Sequence, residues 1–283
     1  MVVPPKVAAL VLAVVLVLTS CSGDSTPSAA PTTSGSASSA AAPASASASR
    51  ALRVLVSNDD GVGAPGIDAL VRALTAEQAI QVTVVAPVAN QSGTGGKTSP
   101  GPLTATKATT ASGYPATAVD GFPADAVVYG LHNVLTSPPD LVITGVNAGP
   151  NLGPVVDISG TVGAARAAAQ EGIPALAVSA GFGDVIDFTS GAGAAITWLR
   201  DHRDALEASH GPATTVSNLN VPSCAAGSSI RGQVEVAPDA SASTALAIAP
   251  ADCTSTEPAP ATDVAAFHDG FTTLSEIGLQ PAS

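Results

Sequence analysis

The sequence predicts an α/β protein built on a doubly wound, mostly parallel sheet with helices on both faces, and two observations carry that prediction. Short β-branched runs recur at Leu52 to Val56, Val82 to Val85, Leu141 to Val146 and Ala175 to Val178. Each is apolar on both faces, as strands buried between two helical layers are. Segments of helical period lie between them, so strand and helix alternate. Right-handed crossovers then bring the carboxyl ends of these strands to one edge, where the ligands of such sheets gather.

The first helix opens at Pro65-Gly66 and spaces Ile67, Leu70, Val71 and Leu74 one helical turn apart. A second opens at Pro123 and carries Val127, Val128, Leu131, Val134 and Leu135 on one side. The third, Thr161 to Gln170, is Ala-rich and ends before Gly172, which suits the left-handed residue after a helix. Trp198, within Ile196-Thr197-Trp198-Leu199, is expected to pack inward from a further helix rather than stack on a base.

Only part of the chain has the composition of a folded body. The 283 residues are 46% apolar and 11% charged, with 27 Gly and 23 Pro; that is ample for a core yet lean in charge, and the excess of small residues is concentrated near the start. Residues 1–20 place Lys6 ahead of an apolar run from Val7 to Leu18, which predicts a secretory signal. The run is shorter than the roughly 20 residues of a spanning helix. Leu18-Thr19-Ser20-Cys21 resembles the lipobox of bacterial lipoproteins, so Cys21 is the expected lipidation site, and the protein is expected outside the cytoplasm, anchored to the cell membrane. Residues 21–50 are Ser, Ala, Thr, Pro and Gly almost throughout, too poor in apolar side chains to offset their chain entropy. They read as a tether with a reach on the order of 30 Å. The functional body is 51–283.

Charge excludes some partners. With 10 Lys and Arg against 22 Asp and Glu the net charge is −12, so a nucleic-acid duplex is not an expected partner. Three Cys, without zinc-type spacing, exclude a thiolate metal site.

The chemistry is expected where the strands end. The first strand runs into Ser57-Asn58-Asp59-Asp60-Gly61, and adjacent carboxylates raise one another's pKa unless a cation lies between them. The plain alternative is turn chemistry, with Asp60 as an Asx-turn residue or helix cap. The third strand runs into Asn147-Ala148-Gly149-Pro150-Asn151, where Asn147 offers a neutral oxygen to Mg²⁺ or Mn²⁺ and Asn151 can hold a phosphate or ribose oxygen. Ser159-Gly160-Thr161 opens the third helix, whose free N–H groups and dipole form an anion site, although Ser159 alone would be an ordinary cap. Asn90-Gln91-Ser92-Gly93-Thr94 follows the second strand at the same edge. Hard-metal ligands beside an anion site suit phosphate-ester hydrolysis, in which a divalent cation neutralises phosphoryl oxygens and lowers the pKa of a water, and fixed donors stabilise developing charge.

The segments SNDDGVGAPGI (57–67), VVAPVANQSG (84–93), VDGFPADAVVYGL (119–131), PDLVITGVNAGPNLG (139–153), SGTVGAA (159–165) and GIPALAVS (172–179) resemble, in order and spacing, the SurE survival-protein family of metal-dependent 5′/3′-nucleotidases. The likeness returns more loosely at Asn218 to Pro222 and Thr262-Asp263. It implies a Rossmann-like fold and activity on nucleoside monophosphates. Asp59, Asp60, Ser92 and Asn147 would be metal ligands, with Asp59 and Asp60 catalytic. Gly93, Asn151, Ser159, Gly160 and Thr161 would line the phosphate side. An Asp-x-Asp spacing for an aspartyl-phosphate route is absent, so attack by water is expected. Two other readings stay open: a broad acid phosphatase or short-chain polyphosphatase, and a lipoprotein that binds nucleotides without hydrolysing them.

The chain departs from the family in places. Members commonly carry His where Gly63 stands, and an acidic residue near Ala168; neither is a ligand, so catalysis is expected to survive and substrate preference is the property these departures bear on. Ser223 to Ala261 does not match the family's protruding hairpin, and the closing motif is altered to Phe271 to Ser275, which leaves a homodimer or higher oligomer open. Cys224 and Cys253 remain after Cys21 and, outside the cytoplasm, are expected to pair. His132, His202, His210 and His268 have no partnered ligand pattern and receive no role.

Overall fold

Val54 and Val56 point to one side of the first strand and Leu55 to the other, and both sides are covered. That alternation follows from the two-residue side-chain period of a strand and sets up two cores, one on each face. The computed structural model describes residues 50–208 and 212–279. The predicted signal, Cys21, the tether up to residue 49 and His210 lie outside the described residues.

Strands β1 (Leu52–Ser57), β2 (Ile80–Pro87), β3 (Thr104–Thr109), β4 (Pro115–Asp120), β5 (Leu141–Ala148), β6 (Ala175–Ala180), β7 (Thr215–Val221), β8 (Gln233–Glu235) and β9 (Thr272–Gly278) form one sheet. Their order is β3-β4-β2-β1-β5-β6-β7-β9-β8. Pairings are parallel except β3 with β4 and β7 with β9. The chain moves outward from β1 to β2 and then returns to place β5 on the other side of β1. That reversal makes the crevice beyond β1, β2 and β5 the ligand-binding position of a doubly wound sheet.

Helices α1 (Pro65–Ala76) and α4 (Phe188–Asp201) cover one face, and α2 (Pro123–Tyr129) and α3 (Gly160–Gln170) the other. Ile67, Leu70, Val71 and Leu74 bury the predicted stripe of α1, and Trp198 packs in the same core, its ring stacked on His202 with centroids 4.1 Å apart. The second predicted helix is shorter than its apolar spacing suggested. Regular α-helix stops at Tyr129, and Gly130–Val134 continues as a wider π turn that still directs Leu131 and Val134 toward the core. Short helices α5 (Arg203–Glu207), α6 (Thr244–Ala247) and α7 (Asp263–His268) complete the described chain. Arg50, placed with the tether by composition, belongs to the folded body: its guanidinium bonds both oxygens of Asp140 at 2.7 and 3.0 Å.

Candidate active site

The turn after β1 is closed by its asparagine. Asn58 Nδ2 donates to the carbonyl of Gly61 at 2.9 Å, and Gly61 takes the left-handed φ of +100° that the turn requires. Helix α1 is capped at Ala64, with Pro65 in its first turn, so Asp60 is not its cap. Asn58 makes the turn, and the two carboxylates are left for other partners.

They point apart. Asp59, only 2% exposed, reaches the start of α3, where the hydroxyl of Thr161 donates to Oδ1 at 2.6 Å and the Thr161 main-chain N–H also contributes. The approach is so close that a Cβ on Gly160 would stand 2.8 Å from Asp59 Oδ2, so this position excludes any side chain. Asp60 Oδ2 accepts from the Ala148 N–H and Oδ1 from Asn90 Nδ2, each at 3.2 Å. Gln91 N–H donates to the Asp59 carbonyl at 2.7 Å, and Gly95 N–H to Ile158 at 3.0 Å. Loops after β1, β2 and β5 and the head of α3 therefore converge on one pair of acids.

Burial raises the Asp59 carboxyl to about 6; the Thr161 hydrogen bond opposes that rise and the charge of Asp60 adds to it. Burial also raises Asp60, against the Ala148 hydrogen bond. Among the described residues no Lys or Arg pairs with either acid. Two partly desolvated like charges without a cation are costly, and a bound divalent ion is the ordinary resolution. No three of His, Cys, Asp and Glu converge among the described residues. A cation here would thus rest on two carboxylates and neutral oxygens, a hard donor set that fits Mg²⁺ or Mn²⁺.

Those neutral oxygens stand at the same edge. The register of β5 against β6 slips between Thr144 and Asn147, a bulge of the kind that re-aims side chains beside active sites. Asn147 is buried and donates Nδ2 to the Gly149 carbonyl at 2.7 Å, which commits its nitrogen, so that Oδ1 is the atom a cation would meet. Ser92 lies in the exposed turn tied by its N–H to Asn90 Oδ1 at 3.0 Å, and Gly93 follows it. Ser159 caps α3 by accepting from Val162 N–H at 3.1 Å, and its hydroxyl hydrogen remains to donate. Thr161, expected to donate to a phosphate, donates instead to Asp59. Part of the anion-binding capacity of this helix start is used by the protein's own carboxylate.

Asn151 is fastened from behind. Its Nδ2 donates to Ser179 Oγ at 2.9 Å, its N–H to Asn220 Oδ1 at 2.7 Å, and its carbonyl accepts from Asn218 Nδ2 at 2.8 Å. Asp263 Oδ2 accepts from Gly153 N–H at 2.8 Å. These supports, Asn218, Asn220 and Asp263, are not site residues that local pattern assigns; their only signal in the sequence is the looser return of the motif near 218 and 262. Cys224 and Cys253 are disulfide-bonded, closing the excursion that carries β8 and α6. His132 pairs with Glu171 at the opposite edge, and His268 meets the Leu246 carbonyl, so neither reaches the acids.

A doubly wound α/β protein whose acid pair, neutral oxygens and a helix start meet at its switch point is the class that fold and site define. The family model for survival protein SurE matches residues 54–254, and the chain belongs to that family. Among its relatives are proteins named 5′-nucleotidase SurE: from Synechococcus sp. (strain RCC307), 45% identical over 174 residues, covering 60% of this chain and 62% of the relative, and from Carboxydothermus hydrogenoformans, 48% identical over 132 residues, covering 46% and 50%. The matches thus span between about half and somewhat under two thirds of these relatives. The crystal structure of the SurE protein from Aquifex aeolicus is similar over 82% of this chain and 95% of that one, with a TM-score of 0.65 and 27% identity.

Proposed function

We propose that the chain is a divalent-cation-dependent phosphomonoesterase that releases phosphate from nucleoside 5′- and 3′-monophosphates. The observation that carries this reading is the pair Asp59 and Asp60, the first buried and the second half-buried, with no Lys or Arg paired to either among the described residues, held by Thr161, Asn90 and the Ala148 N–H where the strands end. The relatives' name supports the substrate class. Asp59, Asp60, Asn147 and Ser92 would hold the ion, which when bound supplies charge neutralisation at phosphoryl oxygens and a lowered water pKa.

The residues of the chain do the rest. Thr161 fixes the Asp59 carboxylate in one rotamer, and Ala148 N–H with Asn90 fixes that of Asp60, so neither must reorganise during reaction. Ser159, with the Gly160 N–H at the head of α3, and Gly93 in the facing loop, present donors to the phosphoryl oxygens. Asn151, one of its amide hydrogens held by Ser179, keeps the loop between them in place and has a second hydrogen to offer. We further propose that Cys21 is lipidated and the enzyme works outside the cytoplasm on its tether, a setting that the Cys224–Cys253 disulfide suits.

The test is phosphate release from 5′- and 3′-nucleoside monophosphates and from p-nitrophenyl phosphate, with Mg²⁺, with Mn²⁺ and with chelator. Release should need the ion and fall about a thousandfold or more in Asp59→Asn. Release that survives both chelator and Asp59→Asn would refute the reading.

A further inference from the structure

Three glycines follow the two acids, and they differ in why they are glycine. Gly61 needs its positive φ. Gly66 sits so close to β5 that a Cβ would fall 1.8 Å from the Val146 carbonyl oxygen and 3.0 Å from the ring of Phe188. Gly63 has neither reason: it shows no left-handed φ, and a Cβ there would meet nothing within 4 Å. The space that a side chain would enter is a hollow of about 470 Å³ that Gly63 helps to line, together with Asp60, Pro65, Val88, Asn90 and Phe188.

We propose that Gly63 is a specificity-determining residue: by lacking a side chain it keeps open a hollow beside Asp60 that takes the nucleoside half of the substrate. The inference rests on the phosphomonoesterase reading and adds to it where the base and ribose go.

Chemistry and size point to that occupant. The hollow is lined by Asp60 and by Asn90 and Ala148, the two residues that fix its carboxylate, so whatever fills it lies beside the acid pair. Its volume lies within the roughly 300 to 1,000 Å³ of small-molecule sites. Val88 is 54% exposed, an apolar side chain facing water at the mouth. Phe188 is the first residue of α4 and cannot drift, because Asp187 caps the helix by accepting from Ser190 N–H at 2.9 Å and the ring rests against Gly66. An aromatic ring and a valine give a base an apolar surface, while Asn90, whose Nδ2 keeps one hydrogen beyond its bond to Asp60, is the polar amide in the same lining. A simple alkyl phosphate would reach the acids without using this wall.

The test separates this inference from the reading beneath it. Adenosine, which carries no phosphate, is titrated into the full chain and into Gly63→Leu and Phe188→Ala, with affinity read by nuclear magnetic resonance and folding by thermal melts. Both variants should bind adenosine about tenfold or more weakly, the size of a lost base-stacking contact. In turnover, the ratio of kcat/KM for adenosine 5′-monophosphate to that for glycerol 2-phosphate should fall by a similar factor. Adenosine affinity unchanged in a folded Gly63→Leu, or no saturable adenosine binding to the parent chain, overturns the proposal. Should Gly63→Leu not fold, Phe188→Ala decides by the same criterion. If the parent chain binds adenosine through these residues yet releases phosphate from no ester, the phosphomonoesterase reading fails and the nucleoside site stands.

Discussion

Two ends of the same sheet bury aspartates and treat them in opposite ways. At the amino end of β5, Asp140 is 3% exposed and lies between cations: Arg50 donates to both its oxygens, and the Arg53 N–H donates at 2.8 Å with its guanidinium 3.6 Å away. Burial alone would raise this carboxyl, but the Arg50 hydrogen bonds, the Arg53 N–H and the two positive charges outweigh it and hold it below its ordinary value. At the carboxyl end, Asp59 is as deeply buried and its pKa goes the other way, because its partners are a neutral hydroxyl and a second acid. Burial does not distinguish a structural carboxylate from a functional one. Whether the fold supplies the countercharge does, and here it is withheld at the edge where the loops converge.

The largest consequence is the response to divalent ions. Binding to the native state alone should stabilise the parent chain by about 2.7 kcal/mol at a hundredfold excess over Kd. Thermal melts with and without Mn²⁺ should show this shift in the parent and in Asp140→Asn, and lose it in Asp59→Asn. An equal shift in Asp59→Asn would show that the ion binds elsewhere and would break the comparison.

Thr161→Val sharpens the same end of the sheet. A hydrogen bond to a charged group is worth about 1.5–3 kcal/mol, so loss of the Thr161 hydroxyl should weaken Mn²⁺ binding about tenfold or more and free the Asp59 carboxylate to rotate. Isothermal titration reads the affinity. An unchanged value would mean that the carboxylate is positioned by the Thr161 main-chain N–H alone.

Local pattern made the carboxyl edge readable and left the amino edge dark. Asn58-Asp59-Asp60-Gly61 and Ser159-Gly160-Thr161 are contiguous strings at strand and helix ends, and the alternation of elements says that those ends meet. Which acid faces α3 was not readable, because the Asp59–Thr161 bond joins positions 102 residues apart and depends on the turn that Asn58 closes. Nor was it readable that Thr161 would spend its hydroxyl on Asp59. The Arg50–Asp140 pair spans 90 residues, and Arg50 comes at the end of a Ser/Ala run whose composition hides a folded residue. Strands β3 and β4 carry no apolar run because β3 is the edge strand and β4 lies next to it, with side chains partly in water. Past Gly130 the apolar spacing continues without an α-helix beneath it, since Leu131 and Val134 stay apolar through a π turn.

At the amino end the expected effects are on stability. Asp140→Asn keeps an acceptor for Arg53 N–H but removes the charge that Arg50 and Arg53 share. Arg50 is 46% exposed, so screening limits the loss to about 1 kcal/mol in chemical denaturation, with turnover per folded molecule unchanged. A fall in kcat without loss of stability would mean that the two ends are coupled through β5.

The smallest effect is a convergence with pH, and its sign follows from the direction of the shift. A carboxyl held below its unfolded value of about 3.9 contributes its stability in full above that value. As pH falls through the lowered folded pKa, Asp140 takes up a proton, Arg50 and Arg53 lose their partner, and that stability is lost. The parent chain and Asp140→Asn should therefore differ by a constant amount between about pH 7 and pH 5 and draw together below about pH 4. Paired denaturation curves measure the difference and cancel every other acid in the chain, Asp59 and Asp60 included, because those are common to both proteins. A gap that narrowed near pH 6 instead would place the titrating group at the other end of the sheet, and would mean that the countercharged acid and the bare one do not act independently.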